Sequence, residues 1–243
     1  MTTEYHGKLL NLCISGSHLY GFESEDSDID YRGCFVLDTN SLLGMSTPRD
    51  YVERTFGEND VVLNELKKEL GLLDKGNCNI LEHLYAKQLY TSDEYFELKK
   101  IISLNLNVAG VYHSYRGMAW WNYNKFCLSG KHTVKKFLYV FRGQLAGIHA
   151  IKTRTIEPNI TKLIADYPEI QKLVQLKING NEKQLLEDEI GSKYHGLVEK
   201  LFSVMDNIYE EHQVSEKLKA ELDHSRAYEL DKFLKKIRKK YYQ

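Results

Sequence analysis

Two short segments, Gly16-Ser17 and Asp28-Ile29-Asp30, separated by ten residues, constrain this 243-residue chain more than any other feature. The run before the first, Leu9-Leu10-Asn11-Leu12-Cys13-Ile14, reads as a buried strand. Ile29 to Leu37 reads as a second, rich in β-branched and aromatic residues. Side chains i and i+2 of a strand share a face. The pattern therefore predicts that Asp28 and Asp30 project together while Ile29 turns to the core. Two carboxylates held that close repel unless a divalent cation lies between them. A Gly-Ser pair at a helix start offers unpaired backbone N–H groups and a hydroxyl, both suited to phosphate oxygens. Strand, Gly-Ser, Asp-x-Asp and strand in this order describe a site for a metal-bound nucleoside triphosphate. Either segment alone would be no more than a solvated turn; the joint pattern is far rarer.

Charge is distributed unevenly. The net charge is −1, but residues 1–97 carry 8 Lys/Arg against 18 Asp/Glu, and residues 98–156 carry 10 Lys/Arg and no acid. Both tryptophans, Trp120 and Trp121, fall in this carboxylate-free stretch, with Tyr123, Phe126 and Tyr139 among its other aromatics. An acidic part joined to a basic, aromatic part fits metal on one wall and a polyanion such as RNA on the other. The four cysteines (Cys13, Cys34, Cys78, Cys127) have no paired spacing, which predicts reduced, mostly buried thiols in a cytoplasmic protein. The N-terminus lacks a secretory pattern, and no apolar run approaches the ~20 residues of a membrane helix.

Periodicity changes along the chain. Asp50 to Phe56 and Asp60-Val61-Val62 read as strands around a Gly57-Glu58-Asn59 turn. From Leu63, apolar residues at 63, 66, 70 and 73 predict a helix. Asn77 or Asn79 is a candidate cap for a helix over Ile80 to Leu89, and Ser92 for one over Tyr95 to Leu104. Beyond residue 90 the pattern is mostly helical, ending in a basic segment, Lys232 to Tyr242, that reads as a solubilising end or a phosphate contact.

The Gly16-Ser17 and Asp28-Ile29-Asp30 pattern resembles the signature of the DNA polymerase β-like nucleotidyltransferase superfamily. The fuller run from Gly16-Ser17-His18-Leu19-Tyr20-Gly21-Phe22 to Ser27-Asp28-Ile29-Asp30-Tyr31-Arg32-Gly33 is similar to a branch of nucleotidyltransferases associated with RNA repair and RNA ligases. Gly76-Asn77-Cys78-Asn79-Ile80-Leu81-Glu82 looks like that branch's Gly-Asn-Pro-Asn-x-x-Glu stretch, with Cys78 where proline is usual. The resemblance implies an α/β (α+β) polymerase β-like domain with a mixed sheet over residues 1–90. An α-helical nucleotide- and substrate-binding domain over 91–243 would follow, with the active site in the cleft between them.

The expected reaction moves NMP from an NTP to an acceptor hydroxyl, foremost an RNA 3′ end such as tRNA or a broken RNA. It would use two Mg²⁺ ions, or Mn²⁺ in their place. Asp28 and Asp30 are the expected catalytic and metal-binding carboxylates. The superfamily places a third on a neighbouring strand, and Asp60 is the candidate, with Glu58 and Glu65 as alternatives and a helix cap as its plain structural role. Gly16, Ser17 and Arg32 are expected at the triphosphate. Lys135, Tyr139 and Arg142, at i, i+4 and i+7 of one helix, form a basic–aromatic stripe that could bind the nucleotide or simply face water. AMP transfer to a partner protein, as in antitoxin-like nucleotidyltransferases, and a catalytically silent nucleotide- or RNA-binding module are the competing readings.

Overall fold

The computed structural model describes residues 7–46, 48–128, 133–180 and 188–242. The first part runs β1 (Gly7–Ser15), α1 (Gly16–Tyr20), β2 (Asp30–Leu37), β3 (Tyr51–Phe56), β4 (Asn59–Glu65), α2 (Leu66–Asp74), α3 (Cys78–His83) and β5 (Gln88–Thr91). Helices follow: α4 (Asp93–Leu104), α5 (Val108–Asn122), α6 (Val134–Thr153), α7 (Pro168–Asn179), α8 (Asp188–Glu211) and α9 (Glu216–Lys240). One π-helical turn, Tyr123–Cys127, prolongs α5. The five strands form one mixed sheet in the order β3-β4-β2-β1-β5, with β2 and β4 parallel and every other pair antiparallel.

Strand alternation builds the core. Cys34 and Val36 of β2 join Leu10 of β1 and Leu66, Leu70 and Leu73 of α2 in one apolar cluster that also takes in α4, α5, α6 and α8. Helix α6 lies at the centre of the helical part, packed against α5, α7 and α8. All four cysteines are buried and unpaired, as expected, and burial pushes the Cys13 thiol up to about 12 and the Cys78 thiol to about 11.

Two helices start or end elsewhere than their periodicity predicts. The leucine pattern begins at Leu63, yet β4 continues to Glu65 because its parallel pairing with β2 runs on to Glu65↔Phe35. Glu65 then accepts the Lys67 N–H at 2.8 Å and so caps α2. The helix expected over Ile80 to Leu89 stops at His83, and Gln88–Thr91 pairs with β1 as an edge strand. The Gln88 side chain joins the two segments by donating to the His83 carbonyl at 2.8 Å.

The basic C-terminal segment is neither a free end nor a bare cationic surface. Helix α9 lies on α2 and α4. Arg238 bonds Glu65 at 2.7 Å, Lys236 bonds Glu97 at 2.6 Å, and Lys240 pairs with Glu94. Thr39 adds a hydroxyl bond to the Arg238 carbonyl at 2.7 Å. Three cations of the last helix thus meet acids of β4 and α4.

Candidate active site

The sheet places Ser15, Asp30 and Asp60 in one row. Ser15 pairs with Asp30 across β1 and β2, and Asp30 pairs with Asp60 across β2 and β4. Directly paired residues on adjacent strands project from the same face about 5 Å apart. At the end of β1 the chain turns into α1 through Gly16, whose φ of +64° is a left-handed conformation natural to glycine. A Cβ built on Gly16 would stand 2.0 Å from Asp30 Oδ2. The missing side chain therefore makes room for the carboxylate of Asp30.

Arg32, two residues along β2, shares that face. Its guanidinium donates to Asp30 Oδ1 at 2.9 Å and to the Asp60 carbonyl at 3.3 Å, so it ties β2 to β4 at the carboxylates. Asp60 is exposed, and its Oδ1 accepts the Thr55 hydroxyl at 2.9 Å. Asp28 is exposed and lies before β2, which begins at Asp30, so strand alternation does not set its direction. The Asn59 side chain instead fixes this approach, accepting the Ile29 N–H at 3.2 Å. Of the alternatives to Asp60, Glu65 is buried in its cap and its pair with Arg238, and Glu58 is exposed in the β3–β4 turn.

Among the described residues no three His, Cys, Asp or Glu side chains are gathered as a metal cluster. Two of the three residues in the row, Asp30 and Asp60, nevertheless offer carboxylate oxygens, the donors that small hard cations take. The Gly16 gap keeps Asp30 Oδ2 clear of any side chain at that position. In donor chemistry the two aspartates suit a divalent cation.

A cavity of about 330 Å³ opens beside Asp30, between the sheet, α3 and α6, with Asn64, Asn79, His83 and Tyr139 in its lining. Tyr139 meets Tyr20 edge-on at 5.8 Å. Lys135 lies one turn earlier on α6. Burial and then Lys136 lower its pKa, while the fields of Asp30, Asp28 and Asp26 raise it. Tyr139 is thus brought to the site from the helical part.

Arg142 is not. It is 1% exposed, pairs with Glu82 of α3, and lies 3.7 Å from the Tyr20 ring centroid. Tyr115 also donates to Glu82 Oε1, at 2.9 Å. Burial pushes Glu82 up and Arg142 draws it back down. The predicted three-residue stripe therefore divides. The turn carrying Arg142 is buried against α3 and α5, and a buried guanidinium needs a carboxylate partner.

Ser17 is buried beside Gly16, and Tyr20 packs in the core. His18 turns to the Ser27 carbonyl at 3.5 Å and lines a separate cleft with Tyr85, Lys87 and Asn159. Asn77 caps α3 through the Ile80 N–H, which gives the Asn of the family-like stretch a structural role. The sequence reading missed His83 and Asn64. Burial, with a smaller contribution from Arg32, pushes the His83 imidazole down to about 3, so it lines the cavity as a neutral ring. Its one available signal was its place directly after Glu82 in the family-like stretch.

Residues 1–235 match the family model RlaP, described as the RNA repair pathway DNA polymerase beta family. The chain is also 31% identical over 195 residues to the uncharacterized protein YcgL of Bacillus subtilis (strain 168), covering 74% of each chain. A nucleotidyltransferase-like protein from Exiguobacterium sibiricum 255-15 superposes with a TM-score of 0.33 at 9% identity, over 84% of this chain and 72% of that one. The chain belongs to the RNA repair pathway DNA polymerase beta family.

Proposed function

We propose that this member of the RNA repair pathway DNA polymerase beta family transfers NMP from a nucleoside triphosphate to the 3′ hydroxyl of an RNA. The observation that carries the reading is the row Ser15–Asp30–Asp60 at the Gly16 turn, with Tyr139 of α6 across the adjoining cavity. In this proposal the catalytic part spans residues 1–90 and the helical part 91–243. Asp28, Asp30 and Asp60 would hold divalent magnesium, which when bound neutralises phosphate charge and acidifies the attacking hydroxyl. Arg32 releases part of its hold on Asp30 to meet triphosphate oxygens. Lys135 supplies the opposing positive charge, Tyr139 offers a ring face to ribose or base, and Gly16 and Ser17 bound the phosphate end.

The test is label transfer. The protein is incubated with Mg²⁺ and each α-labelled NTP in turn, with tRNA, a short RNA or a protein lysate as acceptor. Label in RNA is the expected result, and Asp28→Asn or Asp30→Asn should abolish it while the far-UV circular dichroism stays unchanged. Label confined to a protein band would replace the RNA acceptor by a partner protein. Near-wild-type transfer by either variant would sink the carboxylate assignment.

A further inference from the structure

Away from the cavity, the face formed by the end of α5, its π-helical turn and the first turn of α6 is aromatic and cationic. Trp121 is 53% exposed and Trp120 50%, a large fraction for the largest apolar side chains in the protein. Trp120 is partly committed inward, meeting Phe202 edge-on at 5.5 Å. Trp121 meets Phe126 edge-on at 5.4 Å, with the Lys125 ammonium 4.4 Å from its ring centroid. Lys125 and Lys136 both stand on Phe126, at 5.2 and 3.8 Å from its centroid.

Two features of this face point to an occupant. The first is electrostatic. Two ammonium groups crowded onto one ring repel, and the stretch that carries them, residues 98–156, has no Asp or Glu of its own. Burial and the charge of Lys125 both hold the Lys136 pKa down. The second is position. Lys136 and Tyr139, three residues apart on α6, are neighbours on one helix face, and Tyr139 lines the cavity beside Asp30. The residues therefore form a line from the cavity through Tyr139 and Lys136 to Phe126, Trp121 and Lys125.

We infer that this line is the track of a single-stranded RNA acceptor, with Trp121 as a stacking platform for a base and Lys125 and Lys136 on its phosphates. Flat rings beside cations suit single strands, because every base has a π-face and every linkage a phosphate. A polyanion also removes the repulsion between Lys125 and Lys136, which an apolar or cationic partner would leave in place. The inference rests on the proposed RNA acceptor and adds the path by which that acceptor reaches the site.

Both tryptophans lie on this face, so intrinsic fluorescence reports on it directly. A short single-stranded RNA titrated into the wild-type protein should quench the emission. Trp121→Ala should bind about 10- to 100-fold more weakly, the range that one base–aromatic stack carries. Trp121→Phe, which keeps a ring, should recover most of the affinity and shows that the loss is not misfolding. Lys125→Ala should flatten the dependence of log K on log salt by about 0.7, the value for one phosphate contact on a single strand. In transfer assays the Trp121→Ala defect should fall on KM for the RNA.

Equal RNA affinity in wild type and Trp121→Ala, or wild-type fluorescence indifferent to RNA, overturns the track. Quenching by a protein fraction and not by RNA overturns it in favour of a partner protein. Quenching by RNA with no label transferred to RNA would leave the track standing and remove the proposed reaction instead.

Discussion

Gly16→Ala tests the most specific feature of the site, the contact between the α1 turn and Asp30. Two costs are expected and they can be separated. Gly16 has φ +64°, and an alanine in the left-handed region costs about 1–2 kcal/mol. Gly57, in the turn between β3 and β4, has the same φ of +64°, and nothing lies within 4 Å of the place a Cβ would take. Gly57→Ala therefore measures the backbone cost alone. At Gly16 the new methyl would meet Asp30 Oδ2 at 2.0 Å, and ordinary contact lies more than an ångström further out. Asp30 must swing away and abandon its 2.9 Å bond to Arg32, a half-exposed pair worth at most about 1 kcal/mol. Gly16→Ala should thus lose about 1 kcal/mol more than Gly57→Ala in urea denaturation. The larger effect falls on chemistry, since a reactive group moved by roughly 1 Å can cost ~10²-fold in rate. Label transfer should drop by about that factor in Gly16→Ala and stay near wild type in Gly57→Ala. Equal stability losses together with equal transfer rates would refute the account of Gly16.

Glu82→Gln leaves the buried Arg142 guanidinium without its counter-charge and should cost about 3–5 kcal/mol in urea denaturation; a loss under about 1 kcal/mol contradicts the ion pair. Glu82 Oε2 and Arg142 Nε find no hydrogen-bond partner among the described residues, so joint replacement by Gln and Met should recover most of that stability. Glu69 is pushed up to about 7 from 4.5 by burial, so the folded chain holds a proton there that the unfolded chain releases. Its contribution to stability is complete below pH 4.5 and fades as pH rises through 7, and Glu69→Gln should remove this fall from a plot of urea midpoint against pH. An unchanged plot would place the Glu69 carboxyl in a more polar setting.

The parts of the fold legible in the sequence are those decided over short distances. The strands flanking Gly16 and Asp30 follow from their own composition, and Gly16, Asp30 and Arg32 are bound by spacings that the local chain fixes. What escaped depends on distant partners. The edge strand β5 has four residues and exists because β1 offers it an edge. The extension of β4 to Glu65 is dictated by β2. Helical spacing rightly puts Lys135, Tyr139 and Arg142 on one side of α6, but it does not reveal how much of that side is buried. The partner that withdraws Arg142 from solvent, Glu82, lies sixty residues away. The basic C-terminus was ambiguous for the same reason, because Glu65, Glu94 and Glu97 meet it only in the folded chain.

That buried pair also bears on why the two walls of the cavity hold their spacing. Helix α3 contributes Asn79 and His83 to the lining, and α6 contributes Tyr139 with Lys135 nearby. Glu82 belongs to α3 and Arg142 to α6, so their ion pair ties one wall to the other directly beneath Tyr20. Tyr115 of α5 donates to the same carboxylate, and Ser114 of α5 accepts the Cys78 N–H at 2.9 Å, bringing α3 and α5 together as well. Position 78 is the first residue of α3, where a missing N–H is ordinarily harmless, but here the N–H has a partner. Burying a charged pair gives little net stability, as the two unpartnered atoms already indicate. Its consequence is geometric. An apolar substitute could slide along the helix surface, whereas a carboxylate and a guanidinium meet in few arrangements, and those arrangements fix how far Tyr139 stands from the sheet that carries Asp30.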